Sequence, residues 1–189
     1  GLVGCGSNEG GSNEEATLKV GMVTDSGTID DKSFNQSAWE GLQEWGKANK
    51  LKKDSGFTYF QSNSESDFAN NMSAAQSQGY NLIFGVGFAL HDAVSDAAKE
   101  HEDVNYVIID DVIKDQKNVE SVLFADNEGA YLAGIAAAMV EMNNPLHAKY
   151  VQKALKGILD NVSADGRVLN VSGGTAVMKD REGYMGVPK

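Results

Sequence analysis

From residue 18 onward the chain alternates short runs of β-branched and aromatic residues with longer segments of helical periodicity. That alternation restricts it to folds in which helices wrap a parallel sheet. Residues 18–23 read as a first strand, and residues 33–49 place Phe34, Ala38, Leu42 and Trp45 along one helical face. Residues 57–60 predict a second strand and 64–78 a second helix, with Ser64 or Ser66 as its cap and Gly79 suited to a left-handed C-terminal position. Three further strands are expected at 81–84, 106–109 and 119–124, a third helix at 89–101 and a fourth at 128–141. The run 106–109 is apolar throughout, as suits a strand covered on both faces. The expected fold class is therefore α/β with a doubly wound parallel sheet.

In such a sheet ligands bind outside the carboxyl ends of the strands, near the point where strand order reverses. The loops leaving those ends are 24–32, 61–65, 85–88 and 110–114, and they hold most of the unusual polar and glycine residues. The first of them lacks the G-x-G-x-x-G of dinucleotide binding, and no G-x-x-x-x-G-K-[ST] phosphate loop occurs. Gly85 and Gly87 serve either close backbone approach to a ligand or a tight strand-to-helix turn. Asp30 or Asp31 is placed to cap the helix that begins near Ser33. His91, His101 and His147 stand in no recognisable pairing with a serine or with the cysteine, so an enzyme is not expected, and neither a cofactor nor a metal is called for. Asp25, Asp30, Asp31, Asp110 and Asp111 against Lys32 and Lys114 leave the rim net negative. Such a rim repels phosphate or carboxylate and offers acceptors to a neutral molecule rich in N–H and O–H donors. Phe34 either stacks on a planar ligand or belongs to the core; periodicity alone favours the core.

The overall charge narrows the partners. Sixteen basic against 27 acidic residues give −11, which sets the protein's own field against nucleic acid. No apolar stretch approaches the roughly 18 to 20 residues of a membrane span. The single cysteine excludes a disulfide framework and a cysteine-rich zinc site. It lies in Leu2-Val3-Gly4-Cys5, which resembles a bacterial lipobox, so Cys5 is expected to carry a lipid. Residues 6–17 are almost wholly Gly, Ser, Asn and Glu, a flexible tether spanning on the order of 20 Å.

The run Val20-Gly21-Met22-Val23-Thr24-Asp25, followed by Asp30-Asp31-Lys32-Ser33-Phe34-Asn35-Gln36-Ser37 and Trp39-Glu40-Gly41, strongly resembles the basic membrane protein family of lipoproteins. Gly85-Val86-Gly87-Phe88, His91-Asp92-Ala93, Val107-Ile108-Ile109-Asp110-Asp111, Asn118-Val119, Phe124-Ala125 and Tyr131-Leu132-Ala133-Gly134 match it in the same order. The resemblance implies a type I periplasmic-binding fold and an extracytoplasmic, lipid-anchored component that delivers purine nucleosides to an ABC permease and its ATPases. It further implies that Asp25 and Asn35 bind the base, that Phe34 stacks on it after all, that Asp110 holds the ribose beside Asp111, and that Gly85, Gly87 and Phe88 line the cleft.

Past residue 138 the resemblance weakens. The chain divides into an anchor and tether at 1–17, a ligand-binding lobe at 18–140 and a divergent part at 141–189. In that last part, Pro145 opens an extra amphipathic helix running to about residue 161, and 167–171 is strand-like. Gly173-Gly174 with Asp180-Arg181-Glu182-Gly183-Tyr184 loosely resembles the start of a binding-protein second lobe, so the second lobe is expected to be truncated or rearranged. Two other readings stand beside the nucleoside one: a sugar receptor of the same fold, and a magnesium-dependent phosphotransfer protein using the aspartate pairs.

Overall fold

The computed structural model describes residues 17–124, residues 151, 152 and 155–160 of a later helical segment, and two strands beyond it. In chain order the elements are β1 (Val20–Val23), α1 (Phe34–Ala48), β2 (Phe57–Phe60), α2 (Phe68–Ser77), β3 (Leu82–Val86), α3 (His91–Glu100), β4 (Asn105–Ile109), β5 (Val119–Phe124), β6 (Thr175–Met178) and β7 (Tyr184–Gly186). They form one sheet of order β2-β1-β3-β4-β5-β6-β7. Every pairing is parallel except that of β7 with β6. The expected doubly wound architecture is thus present.

Alternation along the strands explains why they are apolar without a break. In β3, Leu82, Phe84 and Val86 point to one face and Ile83 to the other; in β4, Val107 and Ile109 oppose Tyr106 and Ile108. The first face is covered by α1 through Phe34, Ala38, Leu42 and Trp45, the four residues whose spacing predicted that helix, together with Trp39. The second face is covered by α2 through Phe68, Met72 and Ala75 and by α3 through Val94, Ala97 and Ala98. Burying a side chain of Leu, Val, Ile or Phe size contributes roughly 1.5 to 3 kcal/mol, so both faces of each strand add to stability.

Local signals mark the element ends. Ser64 and Asp67 form a capping box where a short 3-10 turn leads into α2, and Gly79 follows that helix with φ +83°. β3 runs two residues further than the pattern suggested and takes in Gly85. A Cβ there would lie 2.6 Å from Val94 Cγ2, so this glycine lets α3 close onto the sheet. β4 and β5 are parallel neighbours joined by 110–118 alone. The Asn118 amide holds this connection, its Nδ2 within 2.8 to 3.1 Å of the carbonyls of Ala98, His101 and Val104 at the end of α3.

The later part of the chain adds to the same sheet and to the core on its α1 side. Residues 151–152 and 155–159 are helical, as the extra helix predicted. Their Val151, Leu155, Ile158 and Leu159 join the α1-side core. Lys156 Nζ lies 3.3 Å from Glu44 Oε2, and a Cβ on Gly41 would meet the Gln152 carbonyl at 3.2 Å. Beyond this helical segment, β6 adds to β5 in the register Ser121↔Thr175, and β7 folds back on β6. β6 thereby supplies strand partners for the edge of β5 that β4 leaves open. Cys5 and the tether, the expected helix at 128–141, the start of the extra helix at Pro145, the strand-like 167–171 and Gly173-Gly174 lie outside the described residues.

Two measurements test this packing. Replacing a mid-helix glycine by alanine ordinarily stabilises by about 1 kcal/mol. At Gly46 the new Cβ would sit 2.3 Å from the Phe57 ring, which Trp39 hems in at 5.8 Å between centroids. Overpacking of about 1 to 3 kcal/mol wins, so Gly46→Ala should lower Tm by several degrees, and an unchanged or raised Tm would contradict the packing. Tyr106 is buried, and that burial pushes its hydroxyl up to about 12 from 10.0 despite the hydrogen bond from Gln76 Nε2. The unfolded chain gives up this proton first, so the stabilisation is complete below about pH 10 and is lost as pH rises toward 12. Chemical denaturation across that window should show stability falling steadily, and Tyr106→Phe should flatten the fall.

Candidate functional site

Because all strands from β2 to β5 run parallel, their carboxyl ends share one edge of the sheet. Strand order reverses at β1, which has β2 on one side and β3 on the other, and the loops after β1 and β3 diverge there. Val23 pairs with Gly85 and Val86 with Ile109, so the residues just beyond, Asp25, Gly87 and Asp110, are brought level. The loop after β1 is tied down by the buried Thr24, whose Oγ1 accepts from Ser62 N at 3.0 Å across to the loop after β2.

Asp25 is the centre of this edge. Its Oδ1 accepts from Gly27 N at 2.8 Å and from Asn35 Nδ2 at 2.7 Å. Gly87 approaches its other oxygen: a Cβ at Gly87 would lie 3.6 Å from Asp25 Oδ2, and the φ of +104° there is one that L side chains rarely adopt. One oxygen of Asp25 is therefore committed to the loop, while the other faces the switch point beside a residue without a side chain. Gly27 closes over the cluster, where a Cβ would meet Asn35 Nδ2 at 2.7 Å and Asp25 Oδ1 at 3.0 Å.

The helix-capping aspartate proves to be Asp31. Its Oδ1 accepts from Ser33 N at 2.8 Å and Gln36 N at 3.1 Å, while Asp30 takes a hydrogen bond from Thr28 Oγ1. Asp31 also reaches sideways, its Oδ2 accepting from Asn35 Nδ2 at 3.0 Å. The Asn35 amide thus lies with its NH2 group between two carboxylates, and only the NH2 end can donate to them. Its buried Oδ1 has no hydrogen-bond partner among the described residues. An unpaired buried carbonyl costs about 1 to 3 kcal/mol, whereas two charge-assisted bonds contribute roughly 1.5 to 3 kcal/mol each. The pair of carboxylates wins, and the amide is held in one orientation.

The remaining rim residues fall into two groups. Asp110 sits at the end of β4 with φ +70°, its N–H donating to Val122 O at 2.8 Å, a backbone state that aspartate tolerates better than most residues. Asp111 is engaged locally: Oδ1 accepts from Val112 N and Oδ2 lies against His91 Nδ1, both at 2.7 Å. Sequence reasoning missed this pairing, although the register Val86↔Ile109 contains it, since it sets the first turn of α3 beside the residue after Asp110. Phe34 is 6% exposed and lies in the α1-side core, as its periodicity alone suggested. Phe88 is 51% exposed and is the exposed large hydrophobic residue of the described part. Gly85 faces Val94 and Leu90 within the sheet rather than the rim. No group of acidic, histidine or cysteine side chains among the described residues is arranged to hold a metal ion.

Comparison with known proteins places these features. A family profile described as Bmp, ABC transporter substrate-binding protein PnrA-like, matches residues 18–148. The "ABC transporter nucleoside-binding protein BmpA" of Lactococcus lactis subsp. cremoris (strain MG1363) is 57% identical over 148 residues, which cover 77% of this chain and 42% of that protein. The chain therefore spans less than half the length of that relative. A relative of another kind is the "Unsaturated rhamnogalacturonyl hydrolase YesR" of Bacillus subtilis (strain 168), 45% identical over 98 residues covering 44% of this chain and 28% of that protein. Among solved structures, an ABC transporter solute-binding protein from Aeropyrum pernix K1 superposes with a TM-score of 0.53 at 19% identity, covering 86% of this chain and 47% of that one, which speaks to the fold alone. With the profile running from the first strand past the fifth and through both loops that meet at the switch point, the chain belongs to the Bmp family of PnrA-like ABC transporter substrate-binding proteins.

Proposed function

We propose that this chain captures purine nucleosides, as the N-terminal lobe of an extracytoplasmic lipoprotein that serves an ABC importer. The observation that carries the reading is the Asp25 carboxylate at the reversal of strand order, fixed through one oxygen, with the other beside Gly87 and without a hydrogen bond to any described residue. A carboxylate so held suits the N–H edge of a planar base. Asp110, one strand end away, suits a ribose hydroxyl pair. The acidic rim disfavours phosphate, which makes the nucleoside a better ligand than the nucleotide. Binding rather than turnover fits a rim with fixed acceptors and no nucleophile–base pair among the described residues. Cys5 as a lipid anchor, with permease and ATPase subunits as partners, completes the proposal; no helix among the described residues is long and apolar enough to cross a membrane.

The aromatic contact calls for a choice. The family resemblance assigns stacking to Phe34, but that ring is packed against the sheet, whereas Phe88 stands half exposed at the mouth. Phe88 can meet a base without leaving the core, and base stacking on an aromatic ring contributes about 1 to 3 kcal/mol. The similarity to a protein named an unsaturated rhamnogalacturonyl hydrolase gives a second reading, in which the chain hydrolyses an unsaturated rhamnogalacturonyl substrate.

Calorimetry with inosine, guanosine, adenosine, inosine monophosphate and ribose tests the proposal. Nucleosides should bind, the monophosphate more weakly, and ribose hardly at all; ribose binding as well as inosine does would sink it. Loss of an unsaturated rhamnogalacturonyl substrate on incubation with the chain would instead support the hydrolase reading. Asp25→Asn should weaken nucleoside binding about tenfold or more while leaving the fold intact by circular dichroism. Phe88→Ala should weaken it by a similar factor with little change in Tm, and an unaltered affinity would return the stacking role to Phe34.

A further inference from the structure

Asp31 is placed to do more than cap a helix. Its two oxygens serve different elements: Oδ1 takes the backbone N–H groups of Ser33 and Gln36, and Oδ2 takes a side-chain N–H of Asn35. Asn35 Nδ2 has two hydrogens, and its other acceptor is Asp25 Oδ1, the oxygen that fixes the carboxylate at the switch point. The start of α1, Asp31, Asn35 and Asp25 therefore form one continuous line of hydrogen bonds. If the amide turned over, its carbonyl would face both carboxylates. With Asp31 present, the bond to Asp25 is kept even though Asn35 Oδ1 is left buried and without a partner among the described residues. Gly27 seals the arrangement from the other side, since any side chain there would strike the amide nitrogen.

We propose that Asp31 is a positioning residue of the binding site, which acts through the Asn35 amide to hold the Asp25 carboxylate with one oxygen committed and the other presented to the ligand. The affinity part of its test rests on the nucleoside reading; the spectroscopic part does not. Asp31→Asn separates this role from capping. Asparagine keeps an oxygen for the two backbone N–H groups of Ser33 and Gln36, but it turns an NH2 group toward the NH2 group of Asn35, donor against donor.

In 15N-labelled full chain, the two Asn35 side-chain protons should be resolved and protected from exchange by roughly tenfold or more relative to exposed asparagines. In Asp31→Asn that protection should be lost and the shifts moved, with α1 content retained and Tm lowered by several degrees, and inosine affinity should fall about tenfold. A cap with no other role predicts unchanged amide signals and unchanged affinity, and that result overturns the inference. Should the variant fail to fold, the wild-type signals decide alone: an Asn35 NH2 group exchanging as fast as exposed amides refutes the clamp. Should the wild type bind no nucleoside, the reading of the ligand falls, and the amide exchange still settles the role of Asp31.

Discussion

Parallel pairing of β1 with β2 on one side and β3 on the other dictates how the chain can run. Parallel neighbours cannot be joined by a tight turn, so each step needs a crossover. The step from β1 to β2 places α1 on one face, and the step from β2 past β1 to β3 places α2 on the other. The loops after β1 and β3 consequently leave the same edge in different directions, and the gap between them is where Asp25 and Gly87 meet. A functional edge of this kind follows from topology before any side chain is chosen. What the side chains add is control over which groups face the gap.

That control is electrostatic and works against an evident difficulty. Several carboxylates crowd one rim, and like charges at short range disfavour one another. The structure meets this by giving them shared or separate donors. Asp25 and Asp31 share the Asn35 amide, Asp31 also has the start of α1, and Asp111 has His91 and its own loop. Donors from the protein settle where the acceptors point, and the oxygens not so engaged define what a ligand must bring. An acceptor already held in place needs little ordering when the ligand arrives, which lowers the cost of binding.

Most of the sheet was legible because hydrophobic period and turn residues agree there. The face of α1, the capping box at Ser64, the left-handed Gly79 and the strand at residues 57–60 all stand where their patterns put them. Pairwise geometry at the rim was less accessible. The choice between Asp30 and Asp31 as cap depends on loop angles that one-dimensional periodicity does not carry, including the left-handed Lys32 at φ +56°. The His91–Asp111 contact spans twenty residues and appears only once the β3–β4 register is known. Gly85 stayed open for a related reason, since a glycine inside a strand and one in a ligand-facing turn look alike in sequence, and the nearness of Val94 is legible only in the fold. The placement of β6 and β7 was hidden most deeply, because it is a pairing between strands far apart in the chain and not a pattern of their own residues.

Selectivity and affinity separate in a protein built this way. Small-molecule sites commonly enclose most of the ligand's surface, and the described lobe offers one side. Affinity therefore depends on whatever covers the opposite side. Selectivity has another origin, because the line from α1 through Asp31 and Asn35 to Asp25 lies wholly within the loop after β1 and the first turn of the helix it feeds. That helix is anchored to the sheet by Phe34, Ala38, Leu42 and Trp45 and flanked at Gly41 and Glu44 by the helical segment bearing Gln152 and Lys156. The acceptor pattern is thus set by local packing, and on the proposed nucleoside reading the preference among ligands is built into this part of the chain.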